Sequence, residues 1–128
     1  MNTKNLKFNQ IEVVKNAPMD YAVGIKIAII ADTEDYHMGI LEVAPGKQNG
    51  AHYHTKYAEI YQVISGEGYL IIQDFNNQND KAEIKITKDD VVKTPVYTIH
   101  QIKNTGTEPL IVTFFCHKNS TVQDRHVL

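Results

Sequence analysis

Apolar and polar residues alternate with period two along many short runs of this chain, and no run of useful length keeps the 3.6-residue period of a helix. The runs read "IEVV", "GIKIAII", "HMGILEV", "EIYQVI", "YLIIQDF", "AEIKIT", "DVVKT", "HQIKN" and "LIVTFFC". Turn-forming clusters separate them: "APG" at 44–46, "NG" at 49–50, "SGEG" at 65–68, "NNQND" at 76–80, "KDD" at 88–90 and "NTGTEP" at 104–109. Many short strands at near-regular spacing predict a small all-β sandwich or barrel. No linker, repeat or shift in composition divides the chain, so residues 1–128 read as a single domain. The polar segment "NNQND" reads as a hairpin loop.

Bulk composition narrows the class. The 128 residues suffice to close one hydrophobic core without staples. A net charge of -2 implies no basic face, which argues against nucleic acid as a partner. Cys116 is the one cysteine, so no internal disulfide forms; it reads as a small buried hydrophobe. The N-terminal segment "MNTKNLKFNQIEVV" carries no long apolar run, and "AVGIKIAII" is broken by Lys26 and too short to span a bilayer. The expectation is a soluble cytoplasmic protein with no membrane partner.

The stretch "AHYHTKYAEIY" at 51–61 carries the candidate chemistry. On a strand, residues i and i+2 share a face, so His52 and His54 project together, about 6.6 Å apart at the backbone. Imidazoles can converge across that gap on an ion about 2.1 Å from each nitrogen. On a helix the same spacing would splay them. After "TKYA", the strand "EIYQVI" places Glu59, Tyr61 and Val63 on one face. An H-x-H pair alone is more often two surface or satisfied histidines than a chelate, so the frame around it decides.

That frame is Gly46, five residues, His52-x-His54, four residues, Glu59, six residues, Gly66. It resembles the first cupin motif, G-x5-H-x-H-x3/4-E-x6-G, at every specified position. The stretch "DDVVKTPVYTIHQIKN" resembles the second, G-x5-P-x-G-x2-H-x3-N, at Pro95, His100 and Asn104, with Asp89 and Tyr97 in place of its glycines. The resemblance covers 46–66 and 89–104 by motif and extends to 110–117 by the expected final strand. It implies a small antiparallel jelly-roll, the double-stranded β-helix barrel, with His52, His54, Glu59 and His100 as metal ligands. Asp89 tolerates a left-handed turn almost as glycine does. A bulky residue at Tyr97 does not, so either the turn is rebuilt there or Tyr97 lies over the site.

Three neutral imidazoles and a carboxylate leave a divalent ion with a net charge of about +1, which suits an anionic substrate. Two coordination positions stay open on an octahedral ion, a geometry that fits Fe, Mn, Ni or Co better than structural Zn. Tyr61 shares the face of Glu59; it reads either as a core aromatic or, with Glu59, as a catalytic acid–base group. Gln73 and Gln101 are candidates for hydrogen bonds to substrate, and Tyr97 for contact with it. His37 and His117 fall on strands and read as ordinary histidines; His126 falls in an exposed tail. The stretch "HYHTKYAEIYQVISGEGYLIIQ" with "PVYTIHQIKN" is also similar in part to the cupin-type phosphoglucose isomerases. The implied functions are metal-dependent isomerase or epimerase chemistry on a small anionic or polyol metabolite, Fe(II) dioxygenase chemistry, or a smaller share for lyase chemistry. The alternative is a non-catalytic metal- and metabolite-binding or regulatory module. Exposed strand edges need covering, and residues 8–30 are β-rich enough to exchange between copies, so a homodimer is expected.

Overall fold

The computed structural model describes residues 1–121 and 123–128. A helix, α1 (Gln10–Asn16), precedes eleven strands: β1 (Met19–Asp20), β2 (Ile25–Asp32), β3 (Tyr36–Val43), β4 (His52–Tyr53), β5 (Glu59–Ser65), β6 (Glu67–Asp74), β7 (Lys81–Thr87), β8 (Val91–Thr94), β9 (Thr98–Lys103), β10 (Leu110–His117) and β11 (His126–Val127). They form two antiparallel sheets, ordered β1-β2-β3-β10-β5-β8 and β11-β4-β9-β6-β7. The jelly-roll expectation holds as a two-sheet double-stranded β-helix. Among the described residues the two sheets are not hydrogen-bonded into a closed barrel.

Period-two patterning sets the inner face. On β5 the side chains of Glu59, Tyr61 and Val63 are buried while Ile60 and Gln62 are exposed. On β10 the inward set is Leu110, Val112, Phe114 and Cys116. These pack with Leu41, Val43, Leu70, Ile86 and Ile102 into the main core between the sheets. The close pairing of β3 and β10 needs Gly39: a Cβ there would stand 2.1 Å from the Phe114 ring. "NNQND" forms the connection between β6 and β7, as its composition predicts.

The first strand expected, "IEVV", is instead part of α1. Asn9 caps the helix by accepting a hydrogen bond from the Glu12 amide at 3.1 Å, an N-terminal signal that outweighs the β-branched pair Val13-Val14. Seven residues are too few to hold a helix unaided. Val14 docks on Ile30 and Ile40 on the outer face of the six-stranded sheet, each buried aliphatic side chain contributing about 2 kcal/mol. A register shift on β2 between Ile29 and Ala31 lets Ile30 face the helix while Ile25 and Ile27 face inward. No helix among the described residues is long and apolar enough to cross a membrane.

Asp89 and Tyr97 both take positive φ, 74° and 56°. Tyr97 therefore keeps the backbone of the glycine it replaces; the turn is not rebuilt. Its amide donates to His54 O at 2.7 Å and its carbonyl accepts from Phe75 N at 3.0 Å, so two backbone bonds offset the steric cost.

Candidate metal centre

His52 and His54 come from β4 and the loop after it, Glu59 from the start of β5, and His100 from β9, where it pairs with His52 across the sheet. One donor atom from each lies within 4.8 Å of the others, and all four side chains are buried. Donors on opposite sides of one ion stand about 4.2 Å apart, so the cluster is close to ligating size. The rings of His52 and His100 are 4.2 Å apart between centroids, and that of His54 is 5.2 and 5.3 Å from them.

Each imidazole is held by the nitrogen that faces away from the centre. His52 Nδ1 donates to Gly50 O at 2.8 Å, His54 Nδ1 to Asp124 O at 2.8 Å, and His100 Nδ1 to Thr98 O at 3.0 Å. A carbonyl only accepts, so each Nδ1 carries the proton and each Nε2 keeps a free lone pair. His54 Nε2 has no hydrogen-bond partner and abuts Glu59 Oε1. Two buried acceptors in contact repel unless a proton or a cation lies between them. Donor set, tautomers and this orphaned nitrogen all fit a divalent transition-metal ion.

The electrostatics agree. Burial, then the neighbouring His100, push His52 down to about 4, so it is neutral at neutral pH. Burial opposes the charge on Glu59, yet the adjacent His100 and His54 imidazoles hold its carboxyl well below the usual range. Burial likewise disfavours a charged His54, but the Glu59 carboxylate raises it. Burial and the Glu59 charge keep the Tyr61 hydroxyl protonated. That hydroxyl stands 3.4 Å from Glu59 Oε1 and 3.2 Å from His100 Nε2, on the cavity wall. Cys116, buried nearby, is pushed up to about 12 by burial and by Glu59, and is an inert thiol.

Three of the four donors, His52, His54 and Glu59, line a cavity of about 490 Å³, a size suited to a small metabolite. Val23, Ile25, Ile27, Leu41 and Phe114 form its apolar wall; Asp20, Asn49 and Arg125 add polar groups. Gln73 and Tyr97 fall outside it. Gln73 donates to Gln78 O at 3.3 Å within the β6–β7 loop, and Tyr97 is 43% exposed beside Phe75. Gln101 is spent on Asn49 O at 2.7 Å. His37 is buried away from the four donors, 3.6 Å from Asp32, and His117 stacks on Tyr57 at 4.0 Å. His126 does not lie in a free tail: β11 pairs it with Tyr53, on whose ring it stacks.

Two residues of that last segment, Asp124 and the cavity-lining Arg125, were not foreseen. Asp124 is buried, and its carboxylate accepts from Thr55 N and Oγ1 at 3.0 and 2.7 Å, Lys56 N at 2.8 Å and Tyr57 N at 3.1 Å. Its carbonyl orients His54. Asp124 thus fixes the loop between the H-x-H pair and Glu59 from 70 residues away. No local pattern announces such a partner.

Burial opposes the Asp124 charge, but the Thr55 hydroxyl and the three amides hold its carboxyl down to about 2, below the ordinary 3.8. A depressed acid stabilises the fold above its ordinary value, and this stabilisation fades as pH falls through the lower one. The carboxylate is covered but close to the surface, so screening trims the effect. Asp124→Asn is expected to cost about 1–2 kcal/mol at neutral pH, with the gap to wild type closing from about pH 5 toward pH 2. Urea unfolding across that range measures it; a gap independent of pH would contradict the assigned charge.

Residues 24–126 match the family model of the polysaccharide biosynthesis C-terminal domain. No curated protein sequence matches the chain. Among solved structures, the capsular polysaccharide assembling protein CapF from Staphylococcus aureus superposes with a TM-score of 0.77 at 22% identity, over 88% of this chain and 34% of CapF. The chain therefore spans about a third of CapF's length. A conserved protein with a double-stranded β-helix domain from Klebsiella pneumoniae gives 0.76 at 18% identity, covering 94% of this chain and 95% of its own. A putative sugar phosphate isomerase from Acidithiobacillus ferrooxidans gives 0.73 at 20%, covering 91% and 78%. At these identities the structures establish the fold, and the family match, spanning four-fifths of the sequence, establishes the kinship: this chain belongs to the polysaccharide biosynthesis C-terminal domain family, on the double-stranded β-helix of the cupins.

Proposed function

We propose that the chain binds one divalent transition-metal ion through His52, His54, Glu59 and His100 and acts on a small polyol or anionic sugar metabolite as an isomerase or epimerase. The observation that carries this reading is the trio of imidazoles committed through Nδ1 to carbonyls, with three Nε2 lone pairs and one carboxylate left close together and His52, His54 and Glu59 lining a cavity. An ion bound there would polarise a substrate carbonyl or hydroxyl as a Lewis acid. The protein's own part is positioning and proton handling. Tyr61, held protonated, presents a hydrogen-bond donor to a substrate oxygen, and the Glu59 carboxylate beside it accepts. The family description and the carbohydrate-related relatives support a sugar-type ligand. Residues 1–128 are taken as one domain, working in the cytoplasm as a homodimer.

The test is exchange of a carbon-bound hydrogen with solvent. Metal-loaded protein incubated in D2O with phosphorylated and nucleotide-linked sugars is expected to add one deuterium to a substrate. No incorporation across the panel overturns the isomerase reading. The apolar cavity wall favours a second reading, Fe(II)-dependent dioxygenase chemistry, whose mark is oxygen uptake with the iron-loaded protein. A ligand that co-purifies unchanged, with neither activity, identifies a binding or regulatory module.

A further inference from the structure

We infer that Arg125 anchors an oxyanion, a carboxylate or phosphate, of the ligand whose oxygen donors reach the metal centre; this rests on the metal reading above and narrows its substrate class. Arg125 lines the same cavity as His52, His54, Glu59 and Tyr61. Its guanidinium reaches over Gly50, where an added Cβ would stand 3.9 Å from it, and Gly50 is the residue whose carbonyl holds His52. The cation thus stands at the mouth of the cavity, beside one ligand.

It is also uncommitted. Among the described residues, no carboxylate lies within 4.0 Å of the guanidinium. Of the two carboxylates lining the cavity, Glu59 belongs to the metal cluster and Asp20 accepts from Ala22 N at 3.0 Å in its own turn. An arginine without a partner at a cavity mouth is a two-pronged donor awaiting a planar or tetrahedral oxyanion.

The backbone that carries Arg125 is fixed on both sides. Asp124 before it is tied to Thr55, Lys56 and Tyr57, and His126 and Val127 after it pair with Tyr53 and His52. The side chain is exposed, yet its base is anchored to the loop that bears His54. Binding an anion there orders one side chain and not a whole segment. Opposite stand Val23, Ile25, Ile27, Leu41 and Phe114. The ligand class that satisfies all three walls is a small oxyanion with oxygen donors at one end and an apolar face on its carbon skeleton.

The experiment uses Co(II)-loaded full-length protein titrated with glycerol 3-phosphate, glycerate and glycerol, by calorimetry and by the visible Co(II) spectrum. At least one anion is expected to bind more tightly than neutral glycerol, and which one separates phosphate from carboxylate. Arg125→Ala should weaken that anion about tenfold to a hundredfold. Arg125→Lys should recover part of the loss; glycerol binding should not move, and Co(II) affinity should change far less than anion affinity. Anions that bind no better than glycerol, or Arg125→Ala binding them like wild type, overturn the inference. Failure of wild type to take up Co(II) instead overturns the metal reading; the same anions titrated onto metal-free protein then judge Arg125 separately.

Discussion

His54→Ala is expected to weaken divalent-metal binding by at least about a hundredfold while leaving the fold intact. The side chain supplies one of four donors, and its Nε2 is buried with no hydrogen-bond partner. Its removal also leaves the Asp124 carbonyl without its donor. Because that carbonyl sits near the surface segment 124–128, water can replace the lost bond, and the cost to stability stays modest. Competition with a chromophoric chelator measures affinity, and circular dichroism checks the fold. His126→Ala, on the same edge of the sheet but outside the cluster, is the control and should bind metal like wild type. Equal affinity for His54→Ala and wild type would remove His54 from the ligand set.

Gly66→Ala is expected to destabilise the fold by about 3 kcal/mol or more. Gly66 joins β5 to β6 with φ of 88°, and a Cβ there would lie 2.5 Å from Pro109 O and 2.9 Å from Leu110 Cα. Both contacts are backbone, which cannot swing aside as a side-chain end can. Gly46 separates the two effects: its φ is 76°, but an added Cβ meets nothing within 4 Å. Gly46→Ala should therefore cost only the left-handed conformation, about 1 kcal/mol. Denaturant unfolding of the two variants compares them directly. A Gly66→Ala loss no larger than that of Gly46→Ala would contradict the close approach of the β5–β6 turn to the start of β10.

Much of this arrangement is legible along the chain because the physics that sets it is local. The alternation in "EIYQVI" puts Glu59 and Tyr61 on the inner face, and H-x-H on a strand turns both imidazoles one way. His100 enters through its spacing from Pro95 and Asn104; Asn104 is buried, its side-chain amide donating to Val43 O and Glu108 O at 2.9 and 2.8 Å, which pins the chain behind β9. What the sequence conceals depends on distant partners or on capping. The helix at α1 follows from a cap at Asn9 that competes with a β-rich run. The left-handed Tyr97 is held by His54 O and Phe75 N, neither predictable from its neighbours. Asp124 and Arg125 follow the last long strand in an unpatterned stretch; the pairing of β11 with β4 brings Arg125 to the cavity and Asp124 to the loop after β4. Gln73 shows the converse: it lies on a strand of the right sheet, but its amide turns into the β6–β7 loop.

The most direct test of the metal centre is an anomalous-difference map from crystals grown with Mn(II), recorded near the manganese edge. A single strong peak is expected about 2.1–2.3 Å from His52 Nε2, His54 Nε2, His100 Nε2 and a Glu59 carboxylate oxygen. A peak bound elsewhere, or no peak between those four donors, would contradict the site.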